Sequence, residues 1–148
     1  MDQFILGAGL AIGLAGLGVG IWEGMLARKS LESMGKNPDM SNYFLVLTIL
    51  GIALVESAAI YGLIIAFQII GLDPTTVPAW QPIAAWLAVW LAWLWAWIGE
   101  WYLVSWAMDA VLRNPAMKNK IMTFMILFLA LVESVAIYWL IIAFQLLW

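Results

Sequence analysis

Residues 54–68 read Leu54-Val-Glu-Ser-Ala-Ala-Ile-Tyr-Gly-Leu-Ile-Ile-Ala-Phe-Gln68, and residues 131–145 read Leu131-Val-Glu-Ser-Val-Ala-Ile-Tyr-Trp-Leu-Ile-Ile-Ala-Phe-Gln145. The two stretches lie 77 residues apart (131 − 54) and differ only at Ala58/Val135 and Gly62/Trp139. Each sets one carboxylate, Glu56 or Glu133, in the middle of an apolar run. An ionisable group at that depth in hydrocarbon is costly, so an acid placed there twice marks a functional position. The plainest alternative is a satisfied polar contact between helices with no transport. It weighs more for Glu133, whose surroundings the second half has changed.

The rest of the chain has the composition of a membrane protein. It is 66% hydrophobic and 10% charged over 148 residues, against about 25% charged residues in a soluble domain. Its mean hydropathy is +1.01. Cysteine and histidine are absent, which excludes disulfides, thiol chemistry and the usual zinc or haem sites. No nucleotide motif and no soluble domain are present, and neither a nucleotide nor a nucleic-acid partner is expected. Met1-Asp-Gln3 lacks a basic n-region, and the apolar run after it is too long and glycine-rich for a signal peptide. At about 20 apolar residues per span, the chain holds four transmembrane helices.

The first helix is expected from about Gln3 to Ser33, with Gly35 and Pro38 ending it. Gly9, Gly13, Gly16, Gly20 and Gly24 fall on one helical face, a pattern that lets helices approach closely in lipid. One glycine-zipper dimer would use such a face, but a stripe over the whole span suits a ring of many tightly packed copies better. The second helix is expected from about Ser41 to Gly71, the third from Trp80 to Leu112 and the fourth from Lys120 to Trp148. Residues 1–71 and 80–148 thus form two hairpins, joined by the proline-bearing linker 72–79. All six basic residues, Arg28, Lys29, Lys36, Arg113, Lys118 and Lys120, lie in or beside the two hairpin loops. By the positive-inside rule both loops are cytoplasmic and both termini lie on the opposite side. The hairpins therefore run in parallel, related by an axis along the membrane normal.

The halves are not copies throughout. At the same offset Asn37-Pro38 matches Asn114-Pro115 and Glu23 matches Glu100, but Gly9, Gly13, Gly16, Gly18, Gly20 and Gly24 become Trp86, Trp90, Trp93, Trp95, Trp97 and Trp101. Tryptophans of a membrane protein collect at the two headgroup levels; these fill the full depth of one helix. A tight inner ring accepts them only if it widens, if the second hairpin moves to another radius, or if the indoles fill a lumen. So systematic an exchange beside near-identity reads as redesign rather than drift.

A glycine-striped helix, a basic loop with Asn-Pro, and a helix with a mid-membrane Glu resemble the proteolipid, or ring-forming c-type protein, of F-type rotary ATP synthases. The resemblance spans Gly7 to Ile70 and, in the second half, Glu100 to Gln145. It implies an all-α membrane protein whose hairpins assemble into a c-ring-like oligomer in the inner (plasma) membrane, among lipid. In that family the carboxylate carries Na⁺ or H⁺ past a stator protein, and the polar loops attach to the central stalk. The chain would then be a transport component and not an enzyme by itself. The stalk-facing residues would be Lys36, Asn37, Pro38, Arg113, Asn114 and Pro115, where the family has Arg-Gln-Pro. Packing would rest on Gly9, Gly13, Gly16 and Gly20, with Trp86, Trp90, Trp93 and Trp97 in their place in the second hairpin.

The ion site is expected at Glu56, Ser57 and Tyr61 and again at Glu133, Ser134 and Tyr138. Na⁺ is a hard cation and takes carboxylate, hydroxyl and carbonyl oxygens; a tyrosine hydroxyl can hold the carboxylate from behind. The Na⁺-binding branch of the family carries this Glu-Ser-x-x-x-Tyr pattern. Two acids in one site do not both ionise, and the second keeps a proton and bridges to the first. Glu23/Glu56 and Glu100/Glu133 are the expected pairs, each with one Na⁺ and one shared proton. A site that carries H⁺ alone is the rival. The alternative to a working rotor is an engineered structural ring that keeps the fold without transport.

Overall fold

The computed structural model describes residues 2–148, without the side chains of Asp2 and Ala58. Four helices make up the described chain: α1 (Asp2–Lys36), α2 (Ser41–Ile70), α3 (Trp80–Arg113) and α4 (Lys118–Leu147). All four are long and apolar enough to cross a membrane. At 1.5 Å per residue they run about 45–50 Å, well past a hydrocarbon core of about 30 Å, so their ends stand in the headgroup layers or beyond.

The Asn-Pro pairs set both hairpin turns. A residue before proline is pushed out of the helical region by the proline ring. Asn37 accordingly adopts φ −144° and ψ 85°, and Asn114 adopts −143° and 82°. Each proline then opens a single 3₁₀ turn, Pro38–Met40 or Pro115–Met117, which feeds the next helix. The Asn37 N–H donates to Ser33 O at 3.0 Å and the Asn114 N–H to Ala110 O at 2.9 Å. The two turns are thus one structure made twice. Gly35 does not end α1, as its place in the sequence suggested. The helix continues to Lys36, because the restriction imposed by Pro38 falls on Asn37 and reaches no further back.

Both loops lie at the same end of the bundle. The Tyr43 hydroxyl at the start of α2 donates to Lys118 O at the start of α4. The Lys118 ammonium also stands 5.8 Å from the Tyr43 ring centroid. Near the same end, Lys29 of α1 pairs with Asp109 of α3 at 2.7 Å. At the other end a Cβ on Gly7 would lie 3.2 Å from Pro82 Cβ. The hairpins are therefore parallel, as the charge distribution predicted. At that far end the linker folds on Asp73, whose carboxylate accepts from the Thr75 N–H at 2.9 Å and the Thr75 hydroxyl at 2.7 Å.

α1 packs on α2 and α3, and α2 packs on α3 and α4, while the described residues of α1 and α4 do not meet. This is a sector with α1 and α3 side by side and α2 seated over the seam between them. The seam holds the core, including Ala8, Ala11 and Ala15 of α1 and the fully buried Trp93 and Trp97 of α3. Trp97 lies on Gly18, where a Cβ would come within 1.8 Å of the indole. Gly62 lets α2 approach the α1 backbone, since a Cβ there would lie 2.6 Å from Ala11 O. The tryptophan face thus divides. Trp93 and Trp97 fill the seam between hairpins, Trp86 and Trp90 are half-buried, and Trp95 is 71% exposed. The stripe Gly9, Gly13, Gly16, Gly20 and Gly24 touches nothing within the chain: a Cβ at any of them would meet open space.

Candidate functional site

The two mid-membrane carboxylates occupy different surroundings. Glu133 of α4 turns into the seam between hairpins. The Ser57 hydroxyl of α2 donates to Glu133 Oε1 at 2.6 Å. Tyr61 lies close to the same Ser57–Glu133 pair. Glu100 of α3 is 1% exposed and lies against the Glu133 carboxyl. Two ionised carboxylates can only accept, and in that state neither oxygen of Glu100 has a partner. A proton placed between the two acids turns their approach into a hydrogen bond.

The sequence grouped Ser57 and Tyr61 with Glu56 of their own helix, and the structure gives both to Glu133. The helix itself dictates this. Ser57 and Tyr61 stand four residues apart and share a face, whereas Glu56, one residue before Ser57, points about 100° away. Glu56 is exposed on the outer side of the sector, with Glu23 as its charged neighbour. The counterparts of Ser57 and Tyr61 have nothing comparable before them. The Ser134 hydroxyl turns back to Leu131 O at 2.7 Å, and Tyr138 is 63% exposed. Glu23 lies near Glu56 and Glu100 near Glu133, as the two-acid reading of each site expected; the expected triads are split between hairpins.

One carboxylate with a hydroxyl donor, a second acid and a tyrosine hydroxyl, all within a low-dielectric seam, can hold a proton or a hard cation. Among the described residues no group of three or more His, Cys, Asp or Glu side chains converges as a multivalent metal site would require. The loop residues Lys36, Pro38, Arg113, Asn114 and Pro115 are exposed at one end, with Asn37 half-buried between them. Lys36 is joined to Glu32 at 2.5 Å.

Sequence reasoning missed two contacts. Trp93 packs on Tyr61 with ring centroids 5.4 Å apart, and Lys29 pairs with Asp109. The Gly16-to-Trp93 exchange was the available signal for the first. Nothing in the spacing announces the second.

A parallel tandem of apolar hairpins, each with one carboxylate midway along its second helix, is the arrangement of a membrane proteolipid. The profile of the ATP synthase C-subunit family matches residues 6–69 and again 83–146, and the chain belongs to that family. It is a membrane component of the complex rather than a catalytic one. The chain is similar to the ATP synthase c-subunit of Clostridium beijerinckii, 43% identical over 71 residues that cover 48% of this chain and 99% of the relative. The same protein of Syntrophomonas wolfei is 39% identical over 66 residues, 45% of this chain and 92% of the relative. The chloroplastic counterpart of Phaeodactylum tricornutum is 36% identical over 70 residues, 47% and 85% of the two chains. Each relative thus spans one hairpin, and this chain carries two.

Proposed function

We propose that the chain is a rotor-ring subunit of a rotary ATP synthase that carries Na⁺ at Glu56 and Glu133, with one proton retained in each acid pair. The observation that supports it best is the 2.6 Å bond from Ser57 of one hairpin to Glu133 of the other, with Tyr61 and Glu100 at the same carboxylate. A hydroxyl and two carboxyls offer a hard cation the oxygens it prefers. A second acid that keeps its proton leaves the loaded site neutral, which lets it face lipid as the ring turns. Each charge crossing the potential releases about 2.3 kcal/mol per 100 mV, the energy such a ring converts.

The same reading makes copies of this chain its principal partners. The half-built site at Ser134 and Tyr138, the exposed Glu56 and the uncovered glycine stripe are what a neighbouring copy would meet. The basic hairpin loops then face the cytoplasm in the inner (plasma) membrane and engage the central stalk, with a stator protein beside the outer helices. The retained Ser57–Glu133 contact speaks against a structural ring without transport, which has no use for a hydroxyl held on a carboxylate.

Modification by dicyclohexylcarbodiimide, mapped to each Glu by mass spectrometry, tests the reading, since the reagent attacks a protonated carboxyl in an apolar site. Labelling of Glu56 and Glu133 that Na⁺ suppresses is expected. Labelling indifferent to Na⁺ replaces the cation with a proton, and no labelling at either acid removes transport from the reading.

A further inference from the structure

We propose that Trp93 is a positioning residue for the Glu133 site and that the two carboxylate sites of one chain are therefore unequal. The proposal rests on the reading of Glu133 as an ion site and adds a residue that the family pattern does not contain, because the matching position of the first hairpin is Gly16.

The geometry forms a continuous wedge. Trp97 sits on Gly18, so closely that even a methyl group at residue 18 would collide with its ring. Trp97 packs on Trp93 with centroids 6.3 Å apart at 42°, and Trp93 packs on Tyr61 with centroids 5.4 Å apart at 40°. Trp93 is fully buried, so it has no space to withdraw. Trp93 thereby limits where the Tyr61 ring can lie beside Ser57 and Glu133. Outer groups of this kind fix the orientation of ligands and tune affinity.

The other site lacks that support. Tyr138, the counterpart of Tyr61, is largely exposed, and no aromatic ring of the described residues packs against it. The position matching Trp93 is Gly16, which offers no side chain to any tyrosine that a neighbouring copy brings to it. The exchange of Gly for Trp therefore stiffens one site in two.

The experiment uses the full chain in detergent, with carbodiimide labelling followed at Glu133 and Glu56 over a Na⁺ titration. Trp93→Leu keeps an apolar side chain but no ring. It is expected to raise the Na⁺ concentration that half-protects Glu133 by about tenfold to 100-fold, the usual cost of losing an outer-shell partner, and to leave Glu56 unchanged. Trp93→Phe restores a ring and is expected to return Glu133 to near its original value. Tyr61→Phe, which removes the hydroxyl, serves as the reference and should weaken Glu133 as Trp93→Leu does.

A weakened Glu133 in Tyr61→Phe beside an unchanged one in Trp93→Leu overturns the role of Trp93. So does an equal shift at Glu56 and Glu133, which would report a general disturbance of packing. If Na⁺ protects neither acid in the unaltered chain, the sodium reading fails. The positioning role is then read from the rate of labelling without Na⁺. A change confined to Glu133 in Trp93→Leu and reversed in Trp93→Phe supports it, and any other pattern overturns it.

Discussion

At the scale of the residue, the chain turns on which hydroxyl meets which carboxylate. Ser57 donates to Glu133 across the seam, while Ser134 donates to its own helix. Ser57→Ala should therefore weaken cation protection at Glu133 and spare Glu56. A hydrogen bond to a charged group contributes about 1.5–3 kcal/mol, roughly tenfold or more in affinity. Ser134→Ala should leave Glu133 as it was, and mapped carbodiimide labelling distinguishes the two variants. Glycines separate in the same way. Gly18→Ala drives a methyl into the Trp97 ring, and overpacking of this kind costs about 1–3 kcal/mol. Gly16→Ala meets open space and should be neutral for the isolated chain. Denaturation in mixed micelles, followed by circular dichroism, measures the difference.

At the scale of the element, the two Asn-Pro turns and the linker decide how the helices meet. Asn37 and Asn114 share one backbone conformation because each precedes a proline, so Pro38→Ala should let α1 run on and misplace the loop, with Pro115→Ala its equivalent in the second hairpin. The linker is held differently, by charge. The two hydrogen bonds from Thr75 hold the Asp73 carboxyl below its ordinary range. A carboxylate whose folded value is depressed contributes its stability above the unfolded pKa of about 3.9, and loses it as pH falls through the lower folded value. Proteolysis within 72–79 should thus be constant from neutral pH down to the ordinary carboxylate range and rise only below it. Asp73→Asn should abolish that dependence.

At the scale of the whole molecule, the sector has two unlike edges. α1 leaves its glycine stripe uncovered, and α3 leaves Trp95, Tyr102 and Trp106 exposed. Within the chain the seam is already filled by indole against glycine, Trp97 on Gly18. The free edges offer the same pairing to a second copy. On the ring reading, Trp95→Ala and Gly13→Leu should each reduce the oligomer seen by native mass spectrometry while the helical content of the chain stays intact. Lys29–Asp109 joins α1 to α3 within the chain. The residue matching Lys29 is Trp106, so on the ring reading a junction between copies would lack such an ion pair. The ring would alternate between two kinds of seam.

The sequence by itself determined the number of apolar helices, the parallel hairpins, the turns at Asn37-Pro38 and Asn114-Pro115, and the placing of Glu56 and Glu133 midway along α2 and α4. These depend on local rules: apolar length, the constraint that proline places on its predecessor, and the sorting of basic residues. The 77-residue offset also matched Glu23 to Glu100 and Glu56 to Glu133. The sequence ended the first helix near Ser33, before Gly35, whereas α1 runs on to Lys36 because the constraint set by Pro38 falls on Asn37. Only the tertiary structure decided that Ser57 and Tyr61 lie beside Glu133, that Trp93 packs on Tyr61, and that Trp97 lies on Gly18. Helical periodicity states which side chains share a face, but the face itself acquires neighbours only when the second hairpin docks beside the first.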